Sequence, residues 1–249
     1  MKTTKIEWTE ATWNPSVGCT KVTAGCKNCY AEVMARRLQA MGTLGYENGF
    51  KFTLLPERLT QPLYIKKSTK FFVNSMSDLF HENMPIEYLD LIFDTIIKTP
   101  QHNYQILTKR EHILQKYFEN NVVPPNVWLG VTVEHEKTKS RIDILRKIDA
   151  NIRFLSIEPL IGDVGKLDLT DIHWVIVGGE SGMSARPMQI EWVANIQKQC
   201  KEQNVAFFFK QWGTWGEDGV KRNKKANGSK LYGKEWKEEP KKHTASLFI

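Results

Sequence analysis

The sequence predicts an α/β fold in which a parallel sheet forms a partial (βα)6-type, TIM-like barrel. Short apolar runs alternate with amphipathic helical segments along most of the chain, and this order favours parallel strands with right-handed crossovers. Polar residues gather where each predicted strand ends. The length of 249 residues, of which 41% are hydrophobic, suits one large domain with a sizeable core. An open doubly wound sheet is the second candidate.

The strands are predicted from short runs rich in β-branched and aromatic residues. The first is the extended segment 11–17, which leads into a loop with three cysteines. Further runs follow at 70–74, 103–107, 127–133, 152–157, 173–177 and 206–210. Six or seven strands fit an open or closed βα barrel.

The helices are predicted from apolar residues at helical spacing. They cover residues 30–41, 86–98, 110–119, 136–148 and 190–203. Glycine and proline interrupt the segment 42–62, which therefore predicts a loop.

The polar residues at the strand ends predict a functional face. In a parallel α/β sheet the C-terminal strand ends share one face, and ligands bind there. The residues in question are Asn74 to Asp78, Thr108 to Arg110, Thr132 with Glu134, Ser156 with Glu158, Gly178 to Ser181 and Lys210 to Trp212. Any one set has a simpler interpretation as a turn or helix cap; Ser77, Asp78 and Thr108, for example, are good helix starters. Their joint placement, with the cysteine loop at the same face, predicts one lined cavity.

The cysteine loop is the strongest chemical signal in the chain. Cys19, Cys26 and Cys29 are spaced Cys-x6-Cys-x2-Cys, whereas Cys200 lies far downstream in a predicted helix. Three thiolates from one loop suit three corners of an iron–sulfur cluster and leave one iron open. A zinc site remains an alternative, although zinc prefers four closed ligands or three with water. A disulfide is a weaker alternative, because pairing leaves one cysteine over.

The composition provides predictions about the binding partner, the C-terminal segment and the location of the protein. The net charge of +7 favours a polyanionic partner. From Lys221 to Ile249 there are nine Lys or Arg residues and three Glu residues. Residues 216–249 are therefore predicted as a basic C-terminal extension of a barrel domain at residues 1–215, although a solvated surface explains this charge equally well. The sequence has no apolar run long enough for a membrane span and no apolar signal region, which predicts a cytoplasmic protein without a membrane partner.

Over about residues 5–215 the chain resembles an uncharacterised family that is common in phage and prophage genomes. The stretches that carry the resemblance are Ile6–Pro15, the cysteine loop, Val73–His81, Ile106–Arg110, Asn126–Gly130, Phe154–Leu160, Trp174–Gly182 and Phe207–Gly213. That family is in turn similar to a branch of the radical S-adenosylmethionine (SAM) superfamily, whose members use a partial (βα)6 barrel and three cysteines. The usual superfamily spacing is Cys-x3-Cys-x2-Cys, so the first gap is longer here.

The resemblance implies a [4Fe–4S] cluster on the three loop cysteines, with SAM on the fourth iron. Candidates for the methionine end of SAM are the polar residues after the strand that follows the cysteine loop, namely Asn74, Ser75 and Ser77. Glu158 is the candidate for the SAM ribose, because a carboxylate accepts two hydrogen bonds. The predicted catalytic residues are Glu180 and Lys210. Further candidates for substrate contact are Lys109, Arg110 and Arg186, and a structural ion pair is an equal alternative for every one of these charged residues.

The predicted substrate is a nucleic-acid base or a nucleotide. The basic charge allows phosphate contact, and Trp212 and Trp215 are candidates for base stacking. Core packing is the favoured interpretation of Trp128 and Trp174, which lie in predicted strands. An electron-donor protein is a further predicted partner. The alternative is a non-catalytic zinc or iron–sulfur module that binds nucleic acid or another protein.

Overall fold

The principal sheet of the fold has seven strands. The computed structural model describes residue 4 and residues 6–241. The strands are β1 (Ala11–Trp13), β2 (Ser16–Val17), β3 (Thr53–Leu54), β4 (Lys70–Val73), β5 (Asn103–Thr108), β6 (Val127–Thr132), β7 (Ile152–Ile157), β8 (Trp174–Gly178), β9 (Ala206–Gln211), β10 (Lys230–Leu231) and β11 (Lys234–Glu235). The α-helices are α1 (Tyr30–Ala40), α2 (Ile86–Ile97), α3 (Glu111–Phe118), α4 (Arg141–Arg146), α5 (Ile190–Glu202) and α6 (Lys224–Asn227).

The strand order decides between the two predicted architectures. The sheet has the order β1-β4-β5-β6-β7-β8-β9, and the pairs β1–β4, β4–β5, β7–β8 and β8–β9 are parallel. A doubly wound sheet reverses its strand order part-way, whereas here each strand lies beside the next one of the sheet in the chain. The predicted fold class, a parallel α/β sheet of the partial-barrel type, is confirmed, and the doubly wound alternative is wrong.

Most predicted elements lie within one or two residues of the observed ones, and three differ. The predicted strand 11–17 is broken at Asn14 and Pro15, and its second part, β2, pairs antiparallel with β3. The predicted loop 42–62 therefore contains β3, followed by two short 3-10 helices. The predicted helix 136–148 is a 3-10 turn, Glu136–Thr138, followed by the short α4. The side chain of His135 caps the start of that 3-10 turn by accepting a hydrogen bond from the Lys137 amide.

The chain divides into two compact units, residues 1–129 and 130–249. In the first unit, aromatic side chains fill the sheet face: the rings of Trp13 and Phe71 lie 5.7 Å and 5.5 Å from the ring of Tyr104. A smaller apolar cluster lies under α1 and contains Val17, Ala31, Ala35, Tyr46, Leu55 and Met76. Cys29 and Phe50 pack against this cluster. The cysteine loop is thus attached to a formed core.

In the second unit the core contains the tryptophans of the strands and of the segment after β9. Trp174 is fully buried, and its ring lies 5.9 Å from Phe154. Trp128, in the first unit, is also buried, so the core interpretation of both strand tryptophans is confirmed. The predicted base-stacking role of Trp212 is wrong, because the side chain is 1% exposed and its indole N–H donates to the Lys230 carbonyl. Trp215 is half-buried, and its N–H donates to the Ala185 carbonyl.

The C-terminal segment covers the outer side of β9. The amide of Phe209 donates to the Trp236 carbonyl, and the amide of Glu238 donates to the Phe207 carbonyl. Phe208 and Lys237 form an antiparallel bridge. Residues 242–249 of the predicted basic extension lie outside the described residues, and its boundary at residue 215 stays a prediction. No helix of the described chain is long and apolar enough for a membrane crossing.

Candidate functional site

The cysteine loop lies at the C-terminal ends of β1 and β4, as predicted. The amide of Gly18 donates to the Met76 carbonyl, and the amide of Cys19 donates to the Phe50 carbonyl. Gly18 has a φ of 77°, and a Cβ atom there would lie 2.0 Å from the Lys51 carbonyl oxygen. Only glycine permits this approach of two backbones. The start of the loop is therefore fixed by main-chain contacts to two segments distant in sequence.

The residues predicted for the methionine end of SAM bond to the segment that leads into this loop. The hydroxyl of Ser77 donates to the Gly18 carbonyl at 2.6 Å. Asn74 is buried, has a φ of 58° and donates from Nδ2 to the hydroxyl of Ser16 at 2.9 Å. The hydroxyl of Ser75 donates to Oδ1 of Asn14 at 3.2 Å. All three lie beside the cysteine loop, as their predicted role requires, and their contact with SAM stays a prediction.

Arg110, predicted as a substrate contact, binds the loop instead of facing solvent. The side chain is only 7% exposed. Its Nη1 lies 3.6 Å from the sulfur of Cys19 and 3.1 Å from Oδ2 of Asp78. Its Nη2 donates to the carbonyl and the hydroxyl of Thr20 at 3.1 Å and 2.8 Å, and its Nε donates to Glu82 at 2.8 Å. One guanidinium thus joins the end of β5 to the first cysteine and to two carboxylates.

Asp78 orients that guanidinium. Its Oδ1 accepts hydrogen bonds from the Thr108 hydroxyl and the Phe80 amide, and its Oδ2 accepts from the Lys109 amide as well as from Arg110. No helix begins at Asp78 or at Thr108; α3 begins at Glu111. The helix-start interpretation of both residues is therefore wrong, because their side chains tie the end of β4 to the end of β5.

A cleft of about 550 Å³ opens beside the first cysteine. Its lining contains Cys19, Thr20, Glu32, Arg36, Gln39, Asn48, Gly49, Phe50, Lys51, Phe52, His81 and Asn83. The ring of His81 is fully buried and stacks on Phe52 at 4.2 Å. Amide, cationic and aromatic groups therefore lie within one cleft, a combination that suits a polar ligand with a flat ring.

The electrostatics of the loop oppose a free thiolate. Burial raises the pKa of the Cys19 thiol to about 11, and the neighbouring Arg110 charge acts in the opposite direction. Because thiols bind metal as thiolates, metal binding at Cys19 would release a proton. Burial also acts to raise the pKa of Glu82, but hydrogen bonds from Thr20 and Arg110 outweigh it and hold this pKa at about 2.

The three cysteines of the loop carry free thiols. Cys19, Cys26 and Cys29 are all free and partly exposed, so no disulfide joins them. Within residues 6–241 no three His, Cys, Asp or Glu side chains converge on a position for one metal ion. Thiolates bind zinc with sulfurs about 2.3 Å from the ion, and in an iron–sulfur cluster each thiolate binds its own iron.

The remaining predicted residues form two ion pairs in the second unit. Nζ of Lys210 lies 3.1 Å from Oε1 of Glu158, and a Cβ atom at Gly178 would lie 2.2 Å from that carboxylate oxygen. Glu180 is buried and accepts two hydrogen bonds from the Arg186 side chain, at 2.9 Å and 2.6 Å. The ion-pair alternative is thus realised for Glu158, Lys210, Glu180 and Arg186, and their predicted cofactor and catalytic roles stay predictions.

Sequence reasoning missed the groups that surround Arg110 and the cleft. Asp78, His81 and Glu82 belong to one turn after β4, and Phe52 follows the segment that contacts Gly18. Two signals were present: Asp78 closes the polar set after β4, and His81 ends one of the stretches that carry the family resemblance. The pairing of Arg110 with Cys19 had no signal, because ninety-one positions separate them.

Comparison with solved structures finds spore photoproduct lyases. A complex with dinucleoside spore photoproduct is 12% identical, with a TM-score of 0.44, over 81% of this chain and 63% of that chain. A cysteine-to-serine variant is 14% identical, with a TM-score of 0.46, over 89% of this chain and 71% of that one. The chain thus spans about 63% of the length of the first of these structures, and at these identities the likeness assigns no function.

Two further comparisons concern sequence. The chain has no match among the curated proteins. Residues 3–240 match a family model described as "Protein of unknown function (DUF5131)", and the chain therefore belongs to that family.

Proposed function

We propose that this protein is a radical SAM enzyme that modifies or repairs a nucleic-acid base or nucleotide. The observation that carries the proposal is the cysteine loop: three free thiols in a loop fixed to the C-terminal strand ends, with a cleft of about 550 Å³ beside Cys19. The fold places such a loop where α/β barrels carry their chemistry. The finer association with phage genomes stays a prediction.

Cys19, Cys26 and Cys29 are the residues that would hold a [4Fe–4S] cluster. When bound, the cluster and SAM would supply one-electron chemistry, namely the reductive cleavage of SAM to methionine and a 5′-deoxyadenosyl radical able to abstract a hydrogen atom. The chain's own residues position the groups and exclude water. The backbone contacts of Gly18 and the hydrogen bond from Ser77 keep the first cysteine in place.

Two sets of residues are proposed for SAM and substrate. Asn74, Ser75 and Ser77 lie beside the loop and would orient the methionine end. Glu158 would bind the ribose, and its partner Lys210 keeps the carboxylate oriented. Glu180, held by two hydrogen bonds from Arg186, and Lys210 are the proposed catalytic residues. An electron-donor protein would supply the electron.

The nucleic-acid part of the proposal is supported by a basic hairpin in the C-terminal segment. Strands β10 and β11 pair antiparallel through Tyr232 and Gly233, which have φ values of 51° and 74°. Positive φ at both loop residues is the mark of a type I′ turn, which favours Asn or Gly. Tyr232 is nevertheless there and 69% exposed, with exposed Lys230 and Lys234 on either side. An exposed ring with lysines nearby suits base stacking beside phosphates, and the hairpin also holds Glu235 opposite Lys230.

The alternative is a non-catalytic zinc or iron–sulfur module that binds nucleic acid. It shares the basic hairpin but does not require a cleft at the cysteines. The iron–sulfur form differs from an enzyme only in that it does not cleave SAM.

The test is anaerobic reconstitution with iron and sulfide, followed by dithionite and SAM. Formation of 5′-deoxyadenosine, measured by mass spectrometry, supports the radical SAM class. Cys19→Ala is expected to lose both the absorbance of the cluster and the product. Cys200→Ala is the matched control, because Cys200 is fully buried in α5 and should leave both signals unchanged. Reconstituted native protein that binds iron but forms no 5′-deoxyadenosine would favour the binding module.

The substrate is tested separately. Single-stranded DNA, duplex DNA, tRNA and free nucleotides are each incubated with the reduced protein and SAM. A mass change in one polymer, absent with Cys19→Ala, identifies the substrate class. A change only in free nucleotides excludes the polymer.

A further inference from the structure

We infer that Arg110 is a positioning residue for the proposed cluster: its hydrogen bond to the sulfur of Cys19 holds that ligand and makes the cluster easier to reduce. The inference rests on the proposed function, because it concerns a cluster on Cys19. It assigns to Arg110 a role different from the substrate contact that the sequence suggests.

The contact is directional and fixed. Nη1 of Arg110 lies 3.6 Å from the sulfur of Cys19, a distance at which an N–H group donates to sulfur. The same nitrogen lies 3.1 Å from Oδ2 of Asp78, and Nε donates to Glu82. All three nitrogens of the guanidinium are engaged, and the side chain is 7% exposed. Arg110 therefore has little freedom to turn away from the sulfur.

Arg110 also holds the residue that directly follows Cys19. Main-chain bonds hold Gly18 and Cys19 from the β3 and β4 sides. The hydrogen bonds from Nη2 of Arg110 to the carbonyl and hydroxyl of Thr20 hold the residue that follows. Cys19 thus lies between two anchored residues, so its backbone is fixed on both sides.

A hydrogen bond to a ligating sulfur favours the reduced cluster, because reduction adds negative charge to the sulfurs. Hydrogen bonds to the sulfurs are among the factors that set cluster potentials. The positive charge of Arg110 is largely balanced by Asp78 and by the half-exposed Glu82. The directional N–H group, more than the net charge, is therefore expected to shift the potential.

Two variants separate the effect of the N–H donor from the effect of the positive charge. Arg110→Lys keeps the charge but loses the planar set of donors, and Arg110→Gln loses both. Arg37→Gln is the matched control: Arg37 is exposed in the last turn of α1, the helix that begins after Cys29, so the variant removes one positive charge without removing a bond to sulfur. Each protein is reconstituted with iron and sulfide, its iron content and melting temperature are measured, and the cluster is titrated by EPR at controlled potential.

The expected result is a lower reduction potential in both Arg110 variants than in the native protein and Arg37→Gln. A variant that melts at the native temperature but binds less iron also supports the positioning role. If Arg110→Gln folds poorly, Arg110→Lys decides alone. Native iron content together with the native potential in Arg110→Lys overturns the inference, as does an equal shift in Arg37→Gln. If the native protein forms no cluster, the proposed function fails, and this outcome is distinct from an unshifted potential.

Discussion

The hydroxyl of Ser77 donates a hydrogen bond of 2.6 Å to the carbonyl oxygen of Gly18, the residue directly before the first cysteine. Ser77 follows β4, whereas Gly18 follows β2, so one side chain connects two segments that are far apart in sequence. A residue predicted to touch SAM is thereby also a support of the cysteine loop.

Replacement of Ser77 is expected to separate these two roles. Ser77→Ala removes a hydrogen bond with a net value of about 1 kcal/mol and should lower both the melting temperature and the iron content after reconstitution. Ser77→Thr retains the hydroxyl and should restore both. A native iron content with weaker SAM binding, measured by calorimetry, would instead indicate that Ser77 contacts only the cofactor.

Gly18 is predicted to tolerate no side chain. In Gly18→Ala the new Cβ would lie 2.0 Å from the Lys51 carbonyl oxygen, at a φ of 77°. Gly42→Ala is a matched control, since Gly42 has a φ of 64° and no atom within 4 Å of the new Cβ. Gly42→Ala should cost about 1–2 kcal/mol through backbone strain alone. Urea unfolding should show a larger loss for Gly18→Ala; equal losses would mean that the two backbones separate easily.

The ionised carboxylate of Glu82 is expected to stabilise the fold at neutral pH and to lose this effect in acid. Its pKa is held at about 2 in the folded chain, below the value of about 4.3 of an unfolded glutamate. A depressed pKa gives stability that is full above the unfolded value and is lost as the pH falls toward the folded one. The melting temperature of native protein should therefore exceed that of Glu82→Gln most above pH 5. The difference should shrink between about pH 4.3 and 2.

The exposed Glu119, the C-cap residue of α3, provides the control for that measurement. Glu119→Gln removes one carboxylate without touching the Arg110 contacts. A difference between Glu82→Gln and native protein that stays constant with pH would contradict the assignment.

Tyr232 is predicted to lower the stability of the fold and to strengthen the binding of nucleic acid. At a φ of 51° a tyrosine is strained, whereas asparagine accepts this conformation. Tyr232→Asn should therefore raise the free energy of unfolding by about 0.5–1 kcal/mol. It should also weaken binding of a fluorescent single-stranded oligonucleotide about 5-fold or more, because a stacked base is lost.

Tyr232→Phe retains the ring and should bind as native protein does. Anisotropy at two salt concentrations measures both effects, and the lysines of the hairpin should make binding weaker at high salt. Native affinity in Tyr232→Asn would remove the hairpin from the nucleic-acid proposal.

The strands were predictable because buried apolar runs such as Val127–Thr132 and Ile152–Ile157 are set by local composition. The cysteine trio was equally visible, since its spacing lies within one loop. By contrast, β3 has two residues and exists only because β2 lies beside it. Arg110 and Trp212 were assigned to substrate on their residue type. Long-range contacts with Cys19 and Lys230 decide their placement, and no local pattern contains them.

The antiparallel run of Trp236 to Glu238 along β9 has a practical consequence for shortened versions of the chain. A protein ended at residue 215 would expose the amide and carbonyl groups of Phe207 and Phe209 on a strand of three consecutive phenylalanines. An unpaired, hydrophobic edge strand of this kind pairs with strands of other molecules. A version that stops at residue 215 should therefore precipitate or self-associate, whereas one that retains residue 240 should not.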